Sequence, residues 1–228
     1  MKATHRHTNG PEHDYEPVHG LPELLPTGER LLWQGAPDWR VLARHAFHVR
    51  KLAVYFAAML ALRVVFVVAD GGGASAALRS IAVLTPVALL GLGLVLLLAW
   101  LSARGTAYTL TDRRVVMRIG IVLTVTYNLP FKRIVSADLH PLQQAHGDIA
   151  LALKDGDRIG WLHLWPHARP WHLARPQPML RGLPQAAEVA TLLTQAWSAA
   201  TGLGVTPAAA PAAARPNGLP PSPALATR

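Results

Sequence analysis

Leu52-Ala53-Val54-Tyr55-Phe56-Ala57-Ala58-Met59-Leu60-Ala61-Leu62-Arg63-Val64-Val65-Phe66-Val67-Val68-Ala69 is apolar except for Tyr55 and Arg63. A second run, Ile81 to Ser102, carries no charged residue. At 1.5 Å per residue the runs span roughly 27 Å and 33 Å, each close to a bilayer core of about 30 Å. The segment between them, Asp70 to Arg79, carries three consecutive glycines, Gly71 to Gly73, and reads as a loop. Residues 52–69 and 81–102 therefore read as a two-helix transmembrane hairpin. A pair of core helices in a soluble protein is the alternative, but uncharged runs of this length are rare there.

Outward from the hairpin, charge sets the orientation. Arg40, Arg44, Arg50 and Lys51 precede the first run, and Arg104, Arg113, Arg114 and Arg118 follow the second. The loop has only Asp70 and Arg79, which cancel. The positive-inside rule then puts both termini in the cytoplasm of a bacterial inner membrane. The same distribution explains the net charge of +9 without nucleic acid, for which no module signature is present. There is no cysteine, which excludes disulfides, thiolate metal sites and cysteine nucleophiles. The first 25 residues are polar, so the first span is expected to act as an uncleaved insertion signal.

Residues 1–25 read as a disordered tail, in which His5, His7 and His13 lack the rigid spacing of a metal site. Over residues 26–51 a short strand ending at Trp33, bracketed by Gly28 and a turn at Gly35 and Pro37, precedes a basic juxtamembrane helix capped by Asp38, either separate from the first span or continuous with it. Trp39, Arg40, Arg44, Arg50 and Lys51, with Trp100 and Arg104 after the second span, suit the headgroup layer. Arg63 costs roughly 2.5–3.5 kcal/mol near the bilayer centre. The second span has no acid for it. It must snorkel, use backbone carbonyls, or meet another subunit, which leaves a homodimer open. Pro86 is expected to kink the second span, and Gly91 and Gly93 to form a smooth patch for a client helix. No histidine lies in either run, which argues against pigment ligation within the bilayer.

After the hairpin the apolar period shortens. Runs at Ala107–Leu110, Val115–Gly120, Val122–Pro130, Ile134–Leu139, Ile149–Lys154 and Arg158–Leu164 read as an antiparallel meander of about six strands. Pro184–Ala200 reads as an amphipathic helix able to plug an open end of that sheet. Residues 203–228, rich in alanine and proline, read as disordered. The fold class is thus α+β: a membrane hairpin plus a cytoplasmic domain, residues 105–200, built as an antiparallel barrel or sandwich closed by a C-terminal helix.

Leu164-Trp165-Pro166-His167-Ala168-Arg169-Pro170-Trp171-His172 is the most unusual soluble stretch. Its prolines stiffen it, and Trp165, Arg169 and Trp171 are interface hot-spot types. The alternative is a loop whose tryptophans cap the core. His167 and His172 raise a metal pair, but no acid is near them in sequence. Asp112-Arg113-Arg114 is either an ion-paired turn or a basic edge facing lipid phosphates. No paired-carboxylate, Ser-His-Asp or phosphate-loop spacing emerges, which argues against an enzyme.

Tyr108-Thr109-Leu110-Thr111-Asp112-Arg113-Arg114, followed by Gly120 and Leu129-Pro130, resembles the bacterial pleckstrin-homology-like domain, as does Glu29 to Pro37 its usual N-terminal piece. Gly35 to Arg40, Ala46 to Lys51, Leu164 to Trp171 and Pro176 to Arg181 resemble the PuhB family, photosynthetic-complex assembly proteins of purple phototrophic bacteria. The resemblance covers residues 15–200. It implies a PH-like fold and a non-catalytic, cofactor-free assembly factor for the reaction centre and its antenna in the intracytoplasmic membrane. It supplies no residue-level mechanism. Client contacts would fall to Arg63, Gly91, Gly93, Trp165, His167, Arg169 and Trp171. A lipid-headgroup-binding module that organises the membrane is the alternative. A transporter is disfavoured, since two helices cannot enclose a path alone.

Overall fold

The computed structural model describes residues 25–121, 123–154 and 159–202. All of the expected tail at 1–25 except Leu25, the expected tail at 203–228, the turn at 155–157 and the first residue of the expected Arg158–Leu164 strand lie outside these.

The chain opens with strand β1 (Leu31–Gly35), short helix α1 (Trp39–His45), and the long helices α2 (Val49–Ala69) and α3 (Ala74–Arg104). Strands β2 (Ala107–Thr111), β3 (Arg114–Ile119) and β4 (Val125–Pro130) follow, then a 3-10 turn at Phe131–Arg133. Strands β5 (Ile134–Pro141) and β6 (Gly147–Leu153), a one-turn helix α4 (Trp161–Leu164), strand β7 (Met179–Leu183) and helix α5 (Ala186–Thr201) complete it.

α1 and α2 are separate helices. Asp38 caps α1 by accepting from the Arg40 N–H at 2.7 Å, and the chain turns at His48, whose φ is +52°. The inter-helix break is shorter than the expected loop at Asp70–Arg79. Ala74 to Ser80 is helical, because its alanines favour helix once the glycines end. α3 runs through Pro86 without interruption. α2 and α3 are long and apolar enough to cross a membrane, and only 6% of each most apolar window is buried within the chain.

The strands form two antiparallel sheets, β1-β2-β3-β4 and β5-β6-β7. Of the expected barrel or sandwich, the closed barrel does not form. The 3-10 turn at Phe131–Arg133 separates β4 from β5, and no ladder joins the two sheets. The expected strand at Arg158–Leu164 is also absent over its described part. β6 already pairs with β5 on one edge and β7 on the other, so no edge remains there, and Trp161–Leu164 coils into a helical turn. The lone N-terminal strand finds its partner in β2, with Gly35 opposite Tyr108.

Tyr108, Leu110, Val115 and Met117 from the first sheet meet Ile149, Leu151, Leu180 and Leu183 from the second in one core. α5 covers β5, β6 and the 3-10 turn, burying Val189, Leu193 and Ala196 on one face. Burial of each larger aliphatic side chain contributes roughly 1.5–3 kcal/mol. α1 joins the hairpin to the sheets: it packs on α3 and β7, buries Leu42 and Ala43, and is tied at its start by the Asp38 N–H donating to the Gly182 carbonyl at 2.9 Å.

Candidate functional site

Asp112-Arg113-Arg114 is the ion-paired turn between β2 and β3, not a free basic edge. Thr111 Oγ1 accepts from the Arg113 and Arg114 N–H groups. Arg114 grips Glu29 through Nε at 2.7 Å and Nη2 at 2.8 Å, while Asp112 accepts from the Arg30 N–H. That last bond holds the Asp112 carboxyl below its usual range. The turn therefore staples β1 to the meander.

His167 is not at the surface. It is fully buried, and both ring nitrogens are engaged. Thr106 Oγ1 donates to the Ser102 carbonyl at 2.7 Å, so toward His167 Nε2, 3.1 Å away, it can only accept. Nε2 therefore carries the ring proton. Nδ1 accepts from the Tyr108 hydroxyl at 2.6 Å, and that hydroxyl oxygen accepts from the Arg181 N–H at 3.1 Å. The chain of donors runs from β7 through Tyr108, His167 and Thr106 to the last turn of α3. Every member is neutral. Burial, with a smaller contribution from Arg181, lowers the His167 pKa to about 3, and burial raises that of Tyr108. His167 thus has no nitrogen left for a client or a metal, and it locks the hairpin's end to the sheets. His172 is elsewhere engaged, its Nδ1 lying 2.9 Å from the Pro170 carbonyl. Among the described residues no group of three or more metal-ligating side chains gathers.

The rest of the Pro-rich loop is held at its base and free at its tip. Trp165 is half exposed and meets the ring of Phe47, in the elbow between α1 and α2, edge-on at 5.2 Å. Arg169 donates from Nη1 to Asp138 at 2.8 Å and to Gln177 at 2.9 Å, fixing the loop to β5. Trp171, at φ +64°, is 94% exposed, with Leu162 and Leu173 also exposed. The loop's tryptophans thus diverge: Trp165 braces the elbow and Trp171 faces outward. A cleft of about 360 Å³ beside it holds Arg169, Arg181, Asp138 and Asp148. Its charges satisfy one another, since Arg181 Nε lies 3.8 Å from Asp148 and Asp148 also accepts from the Gly182 N–H. Burial lowers the Arg181 pKa, opposed by Asp148.

The hairpin residues separate as well. Arg63 has a partner within the chain: its Nε donates to Ser80 Oγ on α3 at 3.0 Å. This serine hydroxyl was not among the expected alternatives of snorkelling, backbone carbonyls or a group from another subunit. Gly91 faces the hairpin's own first helix, because a Cβ there would stand 3.4 Å from the Phe56 ring. Gly93 faces open space. The expected glycine patch is therefore one open glycine, the other being consumed by α2–α3 packing. At the opposite end, Arg40 lies over Trp39 at 5.5 Å and Arg104 over Trp100 at 5.3 Å, around a cleft of about 450 Å³. Arg44, Arg50 and Lys51 line a different groove.

The family profile described as the bacterial PH domain matches residues 53–197. The chain belongs to that family. The match begins inside α2, so most of the hairpin and strands β2–β7 fall within one family unit, while β1 precedes it. A Rhodobacter capsulatus protein, described as an uncharacterized 23.7 kDa protein in the puhA 5′ region, is 43% identical over 185 residues, covering 80% of this chain and 86% of that one. No solved structure matches significantly.

Proposed function

We propose that this protein is a non-catalytic, membrane-anchored assembly factor for the photosynthetic reaction centre and its antenna. The observation that carries the reading is the relative in the puhA 5′ region, 43% identical, taken with the resemblance of Leu164–Trp171 and Pro176–Arg181 to photosynthetic-complex assembly proteins. The hairpin is the anchor. Apolar side chains such as Val54 and Leu90, 70% and 73% exposed, are unfavourable in water and favourable in lipid. The basic flanks at Arg50, Lys51 and Arg104 put both ends and the PH-like domain on the cytoplasmic face of the inner membrane. Arg63, bonded to Ser80, and Gly93 are the membrane-level client contacts, and Trp171 with Leu162 and Leu173 is the cytoplasmic one.

The test is co-purification. Full-length tagged chain is extracted from membranes of a phototrophic host, and reaction-centre and antenna subunits are quantified in the eluate. The reading expects them with the wild-type chain and a loss of at least several-fold for Trp171→Ala. Their absence from the wild-type eluate during active assembly would contradict it.

A further inference from the structure

The elbow between α1 and α2 and the β5–β6 turn enclose a groove of about 530 Å³. Its polar lining is Arg44, His45, Arg50 and Lys51 with the amides of Gln143 and Gln144, and no acid lines it. Among the described residues, Arg44, Arg50 and Lys51 make no side-chain hydrogen bond or ion pair. By contrast, Arg114, Arg169 and Arg181 on the sheet side each face a carboxylate. No side chain caps the start of α2, so its first N–H groups add positive potential at the same level. Like charges gathered without a counter-charge repel one another, and an anion in the groove relieves that.

The groove's other wall identifies the anion. Val41, Val54 and Leu142 complete the lining, and Val54 belongs to the apolar surface of α2. Ala58, Ala61, Val65 and Val68, at helical spacing from Val54, continue that exposed face along the helix. A free anion gains nothing from this wall. An anionic phospholipid uses both parts: its phosphate meets Arg44, Arg50 and Lys51, its glycerol and ester oxygens reach Gln143 and Gln144, and its acyl chains lie along α2. We propose that this groove is a binding site for one anionic phospholipid, which clamps the β5–β6 turn to the hairpin's base. The proposal rests on insertion of the hairpin in a bilayer and extends the proposed function to a specific lipid.

Full-length chain in neutral detergent is titrated with short-chain phosphatidylglycerol, with phosphatidylcholine, and with inorganic phosphate, and bound molecules are counted by native mass spectrometry. The expectation is one phosphatidylglycerol per chain, held at least tenfold more tightly than phosphatidylcholine, with inorganic phosphate competing weakly. Each cation removed should weaken binding about fivefold, so the triple variant R44Q/R50Q/K51Q should lose the preference. R44K/R50K should keep most of it. K132Q/K154Q, which removes two cations outside the groove, should leave it unchanged. An unchanged preference in the triple variant, an equal loss in K132Q/K154Q, or phosphate binding as tight as the lipid would each overturn the site. Carbonate extraction of native membranes reports separately on the anchor. Release of the chain there refutes the hairpin's insertion, whereas retention with no lipid preference refutes the groove alone.

Discussion

Acidification should loosen the junction between hairpin and sheets through His167. The buried ring is neutral in the folded state, with a pKa lowered to about 3. In the unfolded chain it returns to about 6.5. Between these values the unfolded state binds a proton that the folded state does not, so stability rises with pH and falls on acidification. From pH 7 to pH 5 the loss from this one group is about 2 kcal/mol. The figure is insensitive to the folded value, because about 3 lies far below 5. His48, also lowered chiefly by burial with Lys51 next, adds in the same direction. The comparison that isolates His167 is His167→Leu. At pH 7 this variant loses two hydrogen bonds and strands the Tyr108 hydroxyl proton, a destabilisation of about 2–4 kcal/mol. Its further drop between pH 7 and pH 5 should be about 2 kcal/mol smaller than the wild type's. Denaturant unfolding of full-length chain in micelles, followed by tryptophan fluorescence at both pH values, measures each quantity. A variant that keeps the full wild-type pH dependence would refute the neutral, doubly bonded His167.

Three further outcomes follow from the geometry. Trp171→Ala should change stability by less than about 0.5 kcal/mol, because the side chain is 94% exposed; a larger loss in the same unfolding assay would make Trp171 a packing residue. Glu29→Gln should cost about 2–4 kcal/mol by unpairing Arg114, since the Glu29 side chain is only 3% exposed, and the double variant E29L/R114M should recover part of that. Gly91→Leu should disrupt the hairpin by driving into Phe56, whereas Gly93→Leu, with open space beside it, should leave the hairpin intact. Cysteine cross-linking between α2 and α3 in membranes distinguishes the two variants, and equal effects would contradict the assigned faces.

The hairpin, the β-rich meander and the C-terminal helix were legible because each is written in local periodicity. Apolar runs of bilayer length, short β-rich segments between turn residues and a one-sided apolar face need no knowledge of the partner element. What escaped was relational. Ala74–Ser80 looked like loop because three glycines precede it, yet alanine-rich sequence extends a helix already packed beside α2. Ile159, Leu162 and Leu164 suggested a strand, but both edges of β6 were taken, one by β7, whose two flanking prolines hid its strand character. His167 looked like an exposed interface residue because Thr106 and Tyr108 lie about sixty positions upstream. Ser80, the acceptor for Arg63, lies just before the second apolar run and carries no charge, so nothing in the local pattern marks it as a partner. The cations flanking the hairpin were legible as a set, but their division between the Trp39–Trp100 cleft and the groove of Arg44, Arg50 and Lys51 depends on how α1, α2 and α3 pack, which no local pattern records.

The assembly role is tested most directly by pulse-labelling reaction-centre subunits in a phototrophic strain from which this chain has been deleted. The expected result is slowed incorporation of labelled subunits into the complete complex and a lower steady-state level. The full-length chain should restore both, and the Trp171→Ala chain should restore them poorly. Normal assembly kinetics and normal complex levels in the deletion strain would contradict the account.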